Sequence, residues 1–243
     1  MTILKSVFKP LLVTCAVAGF LSCNNNADVS TDAAKKPADT PAAAPVAVAP
    51  PAFEPFDVME VTHLVKDYAA WRPVYDADSV NRKAAGMETI VVARSVDNAK
   101  DIELVFKVAD VQKAKDFAAS PKLKEAMAKG GVTSKPGLEF YHVLRFNAES
   151  KEKQWVEVSH KVKDFDAWLK VYDGEGKEKR ASEGMIDVVV ARGVDDPSIV
   201  KLVFDITDMA KAKAAILSEE KKKLMTSAGV EGKPVIKFYQ VAE

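Results

Sequence analysis

Two histidines, His63 and His160, occupy the same place in two near-identical stretches, "VTHLVKDYAAW" from Val61 and "VSHKVKDFDAW" from Val158. A neutral imidazole can take a proton near pH 7 or ligate a metal or haem, so this pair is a first candidate for chemistry. Three residues before each stands an acid, Glu60 or Glu157. A carboxylate buried at such a position has a raised pKa and can act as a general base. These four residues are the catalytic candidates. Candidate ligand-binding residues come in pairs as well: Tyr141 and Tyr239, Arg94 and Arg192, and Trp71 and Trp168. The tyrosines would give a polar lining, the arginines would capture an anion at a barrel mouth, and the tryptophans would stack on a ligand.

Each pair also has a purely structural reading. Each histidine could end a strand, bond backbone or an acid, and pack its ring on Trp71 or Trp168. Arg94 and Arg192 precede turns bearing Asp97 and Asp195, so local ion pairs would explain them. Trp71 and Trp168 lie on apolar helical stripes and so read as core. The run Lys221, Lys222 and Lys223 reads as a solvated helix face.

Other chemistry finds no support. The only cysteines are Cys15 and Cys23, so the rest of the chain offers no disulfide, thiol nucleophile or cysteine metal site. The sequence has no Gly-rich phosphate loop, no G-x-S-x-G elbow and no H-x-H or H-E-x-x-H. No metal and no cofactor are expected. Charge is balanced at 35 Lys+Arg against 35 Asp+Glu, and without residues 1–22, which hold two Lys and no acid, it is 33 against 35. Such a balance excludes the basic footprint of a nucleic-acid binder.

The doubled stretch belongs to a repeat that spans almost everything after residue 55. His63 matches His160 and Trp71 matches Trp168 at an offset of 97. A one-residue insertion near Gly174 and Gly176 then makes the offset 98, at which Gly86 matches Gly184, Phe106 matches Phe204 and Met127 matches Met225. Each unit reads as β-α-β-β-α-β. "VMEVTHLV" alternates like a strand. Asp67, Asp164, Asp110 and Asp208 are placed to cap helices. Pro73 should kink or shorten the first helix, and Ser120-Pro121 should restart the second. The predicted units are residues 56–147 and 154–243.

A βαββαβ unit makes a four-stranded antiparallel sheet with its helices on one face, leaving the other face in need of a partner. A second copy on the same chain supplies it. The run H-x-V-x-D-[YF]-x-x-W, R-x-x-x-G, V-A-R and F-Y, present in both units, resembles the dimeric α/β-barrel superfamily, which includes the antibiotic-biosynthesis-monooxygenase-like domains. That resemblance implies an α+β fold in which tandem ferredoxin-like repeats pack sheet to sheet as a pseudo-dimeric α/β barrel. It specifies no catalytic residue set. Strand parity puts His63 and His160 on the aliphatic faces beneath the helices, and Glu60, Glu157, Tyr141 and Tyr239 on the faces between the sheets.

Residues 1–22 read as an export signal: Lys5 and Lys9 precede an apolar run from Leu11 to Leu21, too short to span a bilayer as a helix. "FLSC" resembles a bacterial lipobox, which implies lipidation of Cys23. Residues 23–55, rich in Ala and Pro, read as an extended tether. Anchoring in the cell envelope is expected, at the outer membrane because Asn24 follows the cysteine. The functional expectation is a tethered, non-catalytic barrel, monomeric in its folded part, that binds a small molecule or an envelope component. The alternative is a cofactor-independent monooxygenase- or isomerase-like enzyme with a cavity His or Glu as base. A third reading is a structural module with a filled interior. An open cavity would eliminate the third, and a strongly perturbed cavity acid or histidine would favour the enzyme.

Overall fold

The computed structural model describes residues 53–149 and 151–242. The signal segment, Cys23 and all but the last three residues of the tether lie outside the described residues.

The first half runs β1 (Phe56–Leu64), α1 (Tyr68–Ala77), α2 (Ser79–Ala84), β2 (Met87–Ser95), β3 (Asp101–Val108), α3 (Val111–Ala118), α4 (Pro121–Lys129) and β4 (Gly137–Phe146). The second half repeats that order as β5 (Gln154–Val162), α5 (Phe165–Glu175), α6 (Lys177–Ser182), β6 (Met185–Gly193), β7 (Ile199–Ile206), α7 (Met209–Ile216), α8 (Glu219–Ser227) and β8 (Val230–Val241).

Helix starts follow from short polar side chains that satisfy otherwise unpaired N–H groups. Asp67 accepts from Ala70 N at 2.8 Å and Asp164 from Ala167 N at 2.7 Å. Ser120 accepts from Leu123 N, with Pro121 at the first helical position where its missing donor costs nothing. Pro73 does not end its helix. It lies inside α1, which runs on to Ala77 and tightens at Asp78, whose N–H reaches both Val74 O and Tyr75 O. In the second half Gly176, with φ of 84°, makes the break between α5 and α6 in a left-handed conformation that a side chain disfavours.

The eight strands form one closed antiparallel barrel in the order β1-β3-β2-β8-β5-β7-β6-β4. Each half contributes four adjacent strands in ferredoxin-like order, β4-β1-β3-β2 and β6-β7-β5-β8. Direct strand pairing joins them at β2–β8 (Ala93↔Val241) and at β4–β6 (Tyr141↔Gly193). Closure removes every free sheet edge. The strand period of two then divides the side chains. Met59, Val61, Leu104 and Phe106 pack with Trp71 in one core, and Val156, Val158, Leu202 and Phe204 pack with Trp168 in a second. The alternate residues face the barrel interior, where Val58, Tyr141 and Val143 meet, as do Ala93, Trp155 and Tyr239.

Candidate functional site

Strand parity alone carries Glu60 on β1 and Glu157 on β5 into the interior, and the barrel brings them to one ammonium group. Lys201 Nζ, on β7, lies 2.6 Å from Glu60 Oε2 and 2.8 Å from Glu157 Oε2. The three side chains are 6–7% exposed, so solvent screens this charge cluster little. Trp155 Nε1 donates to the other Glu157 oxygen at 3.2 Å. Glu103, on β3, is fully buried and has no hydrogen-bond partner, yet its carboxylate lies within 4.8 Å of those of Glu60 and Glu157. Three acids so arranged could hold a cation, but the Lys201 ammonium already occupies contact distance from two of them.

Three carboxylates against one ammonium leave an excess of negative charge that burial makes costly, so protons are retained. Burial, and then the Glu157 charge, push Glu60 up to about 7, with Lys201 pulling the other way. Burial followed by the Glu157 and Glu60 charges push Glu103 well above the carboxylate range. Burial alone would lower Lys201, but the Glu157 and Glu60 charges outweigh it and hold the ammonium firmly protonated. Burial raises the Tyr141 and Tyr239 phenols, which stay neutral. The Lys201 ammonium is 5.0 Å from the centre of the Tyr141 ring.

Glu60, Glu157, Lys201 and Tyr141 line one wall of a cavity of about 330 Å³ inside the barrel. The remaining lining is mainly apolar, from residues such as Val58, Val105, Val143 and Trp155, and it runs out to the exposed Ala148 and Glu152. A small, apolar cavity with a few convergent ionisable groups is the usual form of a small-molecule site.

The other predicted residues lie elsewhere. His63 and His160 are outside the barrel, each in a separate crevice under the helices, so the structure does not bring them to the carboxylates. Their rings lie 5.7 Å from Trp71 and 5.6 Å from Trp168. Neither ring nitrogen of either histidine has a partner, and burial lowers both pKa values to about 4. Trp71 and Trp168 are 4% and 3% exposed and stack on Tyr75 and Tyr172. Tyr239 does not line the cavity: it is completely buried beside Trp155, its hydroxyl unpartnered but within the field of Glu103, Glu157 and Glu60.

The arginines do not pair with the turn aspartates. Arg94 lies over the Tyr68 ring, while Arg192 lies over Phe165 and donates to Pro197 O at 2.9 Å. Asp195 instead accepts from Lys115. In both halves the aromatic residue that opens the first helix, Tyr68 of α1 and Phe165 of α5, offers the guanidinium a flat face. Lys221 is not solvated: it is buried between Glu175 and Glu183, because α8 turns that position onto the α5–α6 junction.

Lys201, Glu103 and Trp155 were missed by reading the sequence. A signal was present. "IELVF" and "VKLVF" align at the offset of 98, with Glu103 and Lys201, an acid and a base, at the same inward position of stretches otherwise apolar.

No protein-family profile matches the chain, and no curated protein matches it. Solved structures do resemble it. An anthrone oxidase-like protein aligns at 14% identity over 77% of this chain and 92% of its own, with a TM-score of 0.53. A presumed monooxygenase from Fusobacterium nucleatum subsp. nucleatum aligns at 13% identity over 77% and 93%, with a TM-score of 0.52. An uncharacterised ferredoxin-fold protein related to antibiotic biosynthesis monooxygenases, from Listeria monocytogenes, aligns at 10% identity over 79% and 97%, with a TM-score of 0.45. The expectation of a non-catalytic envelope binder is overturned by an open barrel cavity walled by an acid whose pKa burial raises to about 7, in a fold shared with structures named as a monooxygenase and an anthrone oxidase-like protein. The chain has an α+β, ferredoxin-like fold.

Proposed function

We propose that the barrel is an enzyme in which Glu60 acts as general base on a small, largely apolar molecule bearing an acidic C–H or O–H. The carrying observation is the position of Glu60: buried against Lys201, at the wall of the 330 Å³ cavity, with a pKa of about 7. At that pKa the carboxylate is both populated and basic enough to take a proton near pH 7. Lys201, clamped by Glu60 and Glu157, offsets the negative charge as it passes from base to substrate, and the neutral Tyr141 phenol is available to donate to the resulting anion. The carbanion or enolate is then open to reprotonation elsewhere or to reaction with O2, the isomerase- and oxygenase-like outcomes respectively.

Anthrone is the first probe, because it has an acidic methylene and because a neighbour in fold is named for anthrone oxidation. Exchange of that methylene for deuterium in D2O without oxygen isolates the proton-transfer step. The full chain should accelerate exchange, and Glu60→Gln should lower the acceleration by about 10²- to 10⁴-fold. Equal exchange with both proteins would sink the reading.

The proposal extends to organisation and place. Residues 56–147 and 154–243 act as a fused pseudo-dimer, a reading supported by the repeated element order and by the β2–β8 and β4–β6 seams. The folded part is therefore a monomer, which light scattering would contradict by reporting a dimer. Residues 1–22 direct export, and a lipid on Cys23 anchors the chain to the outer membrane through residues 23–55. The support is Lys5, Lys9, the apolar run and the lipobox-like "FLSC". Labelling with a radioactive fatty acid should mark the wild type and spare Cys23→Ser.

A further inference from the structure

The two crevices beneath the helices have a composition that general-base chemistry does not use. The first, about 70 Å³, is lined by His63, Trp71, Met59, Met87 and Met127, among others. The second, about 60 Å³, is lined by His160, Trp168, Met185 and Met225, among others. His63, Trp71, Met87 and Met127 correspond to His160, Trp168, Met185 and Met225 at the offsets of the internal repeat. The chain has seven methionines; apart from Met1, all but Met209 line one crevice or the other.

Methionine is a common filler of irregular cores, and that alone would explain its presence. It does not explain the histidines. A neutral imidazole carries one donor and one acceptor, yet both nitrogens of His63 and both of His160 are buried without a partner, in residues 5% and 6% exposed. Such orphaned polar atoms are costly unless something outside the protein satisfies them. Each histidine lines a crevice that two or more methionines and a tryptophan also line.

Thioethers are soft ligands that select monovalent copper over zinc, calcium or magnesium, and imidazole serves the same ion. The indole face adds cation–π attraction to a monovalent cation. A bare metal ion fits in 60–70 Å³, whereas a haem or an organic substrate does not. We infer that each half of the chain carries a binding site for a soft monovalent cation, Cu(I) or its analogue Ag(I), built from His63, Met87 and Met127 with Trp71 in the first half and from His160, Met185 and Met225 with Trp168 in the second. A neutral imidazole keeps one ring nitrogen with a free lone pair, so each buried, unpartnered histidine offers one ligand atom. The barrel acids Glu60, Glu103 and Glu157 are hard oxygen donors, two of them already paired with Lys201, and offer such an ion nothing comparable.

The test uses the full chain with Cys15→Ser and Cys23→Ser, so that no thiol competes. Anaerobic titration with Cu(I) against a chromogenic chelator, and with Ag(I) followed by native mass spectrometry, should give two equivalents per chain, with quenching of tryptophan fluorescence. Replacing Met87, Met127, Met185 and Met225 by leucine conserves core volume and should weaken both sites at least tenfold at an unchanged melting temperature. Should that variant fail to fold, imidazole NMR of the thiol-free chain decides. Ag(I) should shift the signals of His63 and His160 and leave those of His142, which bonds Asp57 on the surface. Binding of less than one equivalent, affinity unaltered by the four leucines, or unmoved His63 and His160 signals would overturn the inference.

Discussion

Glu103 on β3 and Lys201 on β7, an acid and a base, stand 98 residues apart at the same position of the repeat, both buried in the barrel. A symmetric barrel would place four carboxylates there, with Glu60 and Glu157 completing the set. One lysine in place of a glutamate breaks that symmetry, and it fixes which acid is salted and which is not: Glu60 and Glu157 hold the ammonium, and Glu103 is left without a hydrogen bond.

Removing the cation should therefore cost far more than removing the extra acid. Lys201→Met leaves the buried Glu60 and Glu157 carboxylates without their cation and is expected to lose about 3–5 kcal/mol in urea unfolding at pH 8. Glu103→Gln keeps the shape and replaces a proton-retaining acid whose oxygens have no hydrogen-bond partner, so its stability should match or exceed the wild type at that pH. If Lys201→Met unfolds at the wild-type urea concentration, the cluster is not the electrostatic keystone of the interior.

Glu60 sets a pH dependence whose sign can be stated. Its folded pKa, about 7, lies above the ordinary 4.5, so the folded protein holds this proton more tightly than the unfolded chain. The resulting stabilisation is full below pH 4.5 and is lost as pH rises through 7. Urea midpoints of wild type minus Glu60→Gln should thus fall between pH 5 and pH 8. The base-catalysed exchange rate should rise over the same interval, because only ionised Glu60 accepts a proton. A wild-type rate independent of pH from 5 to 8 would assign the base elsewhere.

Much of this arrangement is legible in the sequence. Alternation in "VMEVTHLV" separates Glu60 from His63 by one face of a strand, and barrel closure keeps them apart. The caps Asp67, Asp164 and Ser120 act locally and were readable for that reason. Lys201 was not, because its partners come from β1 and β5, and parity within a strand says nothing about register between strands. The same blindness applied to Arg94 and Arg192. A nearby aspartate in sequence suggested a pair, whereas the Tyr68 and Phe165 rings that they cover are distant in sequence and close only in the fold.

The glycines that end α2 and α6 should differ in tolerance. Gly86 and Gly184 both have left-handed φ, 73° and 82°, which costs an alanine about 1 kcal/mol at either site. A Cβ at Gly86 would meet Ala109 Cβ at 3.4 Å, an ordinary contact, but at Gly184 it would meet Asp208 O at 2.7 Å. Asp208 caps α7, so relief of that clash disturbs a helix start. Gly86→Ala should cost about 1 kcal/mol and Gly184→Ala about 3 kcal/mol or more by thermal unfolding. Equal losses would mean that the backbone conformation alone decides.

Arg82 and Arg180 match in the repeat but are held differently. Both guanidinium groups cover a tyrosine ring, at 3.8 Å for Arg82 over Tyr75 and 4.0 Å for Arg180 over Tyr172, and both donate to that tyrosine's carbonyl. Only Arg180 has a two-pronged carboxylate partner, Asp187, at 2.7 and 2.6 Å. The position matching Asp187 in the first half is Thr89, which bonds the Tyr75 hydroxyl instead. Arg82 is left with Asp78 at 3.8 Å, beyond hydrogen-bonding range. Arg180→Met strands a partly buried acid and a carbonyl, and should cost about 3 kcal/mol, against about 1–2 kcal/mol for Arg82→Met, where a carbonyl and a weak pair are lost. In a cycle with Asp187→Asn, Arg180→Met should show coupling of more than 1 kcal/mol. The corresponding cycle of Arg82→Met with Thr89→Val should show almost none. Coupling of equal size in both would mean that the shared tyrosine platform, rather than the charge pair, anchors each α-helical pair to its sheet.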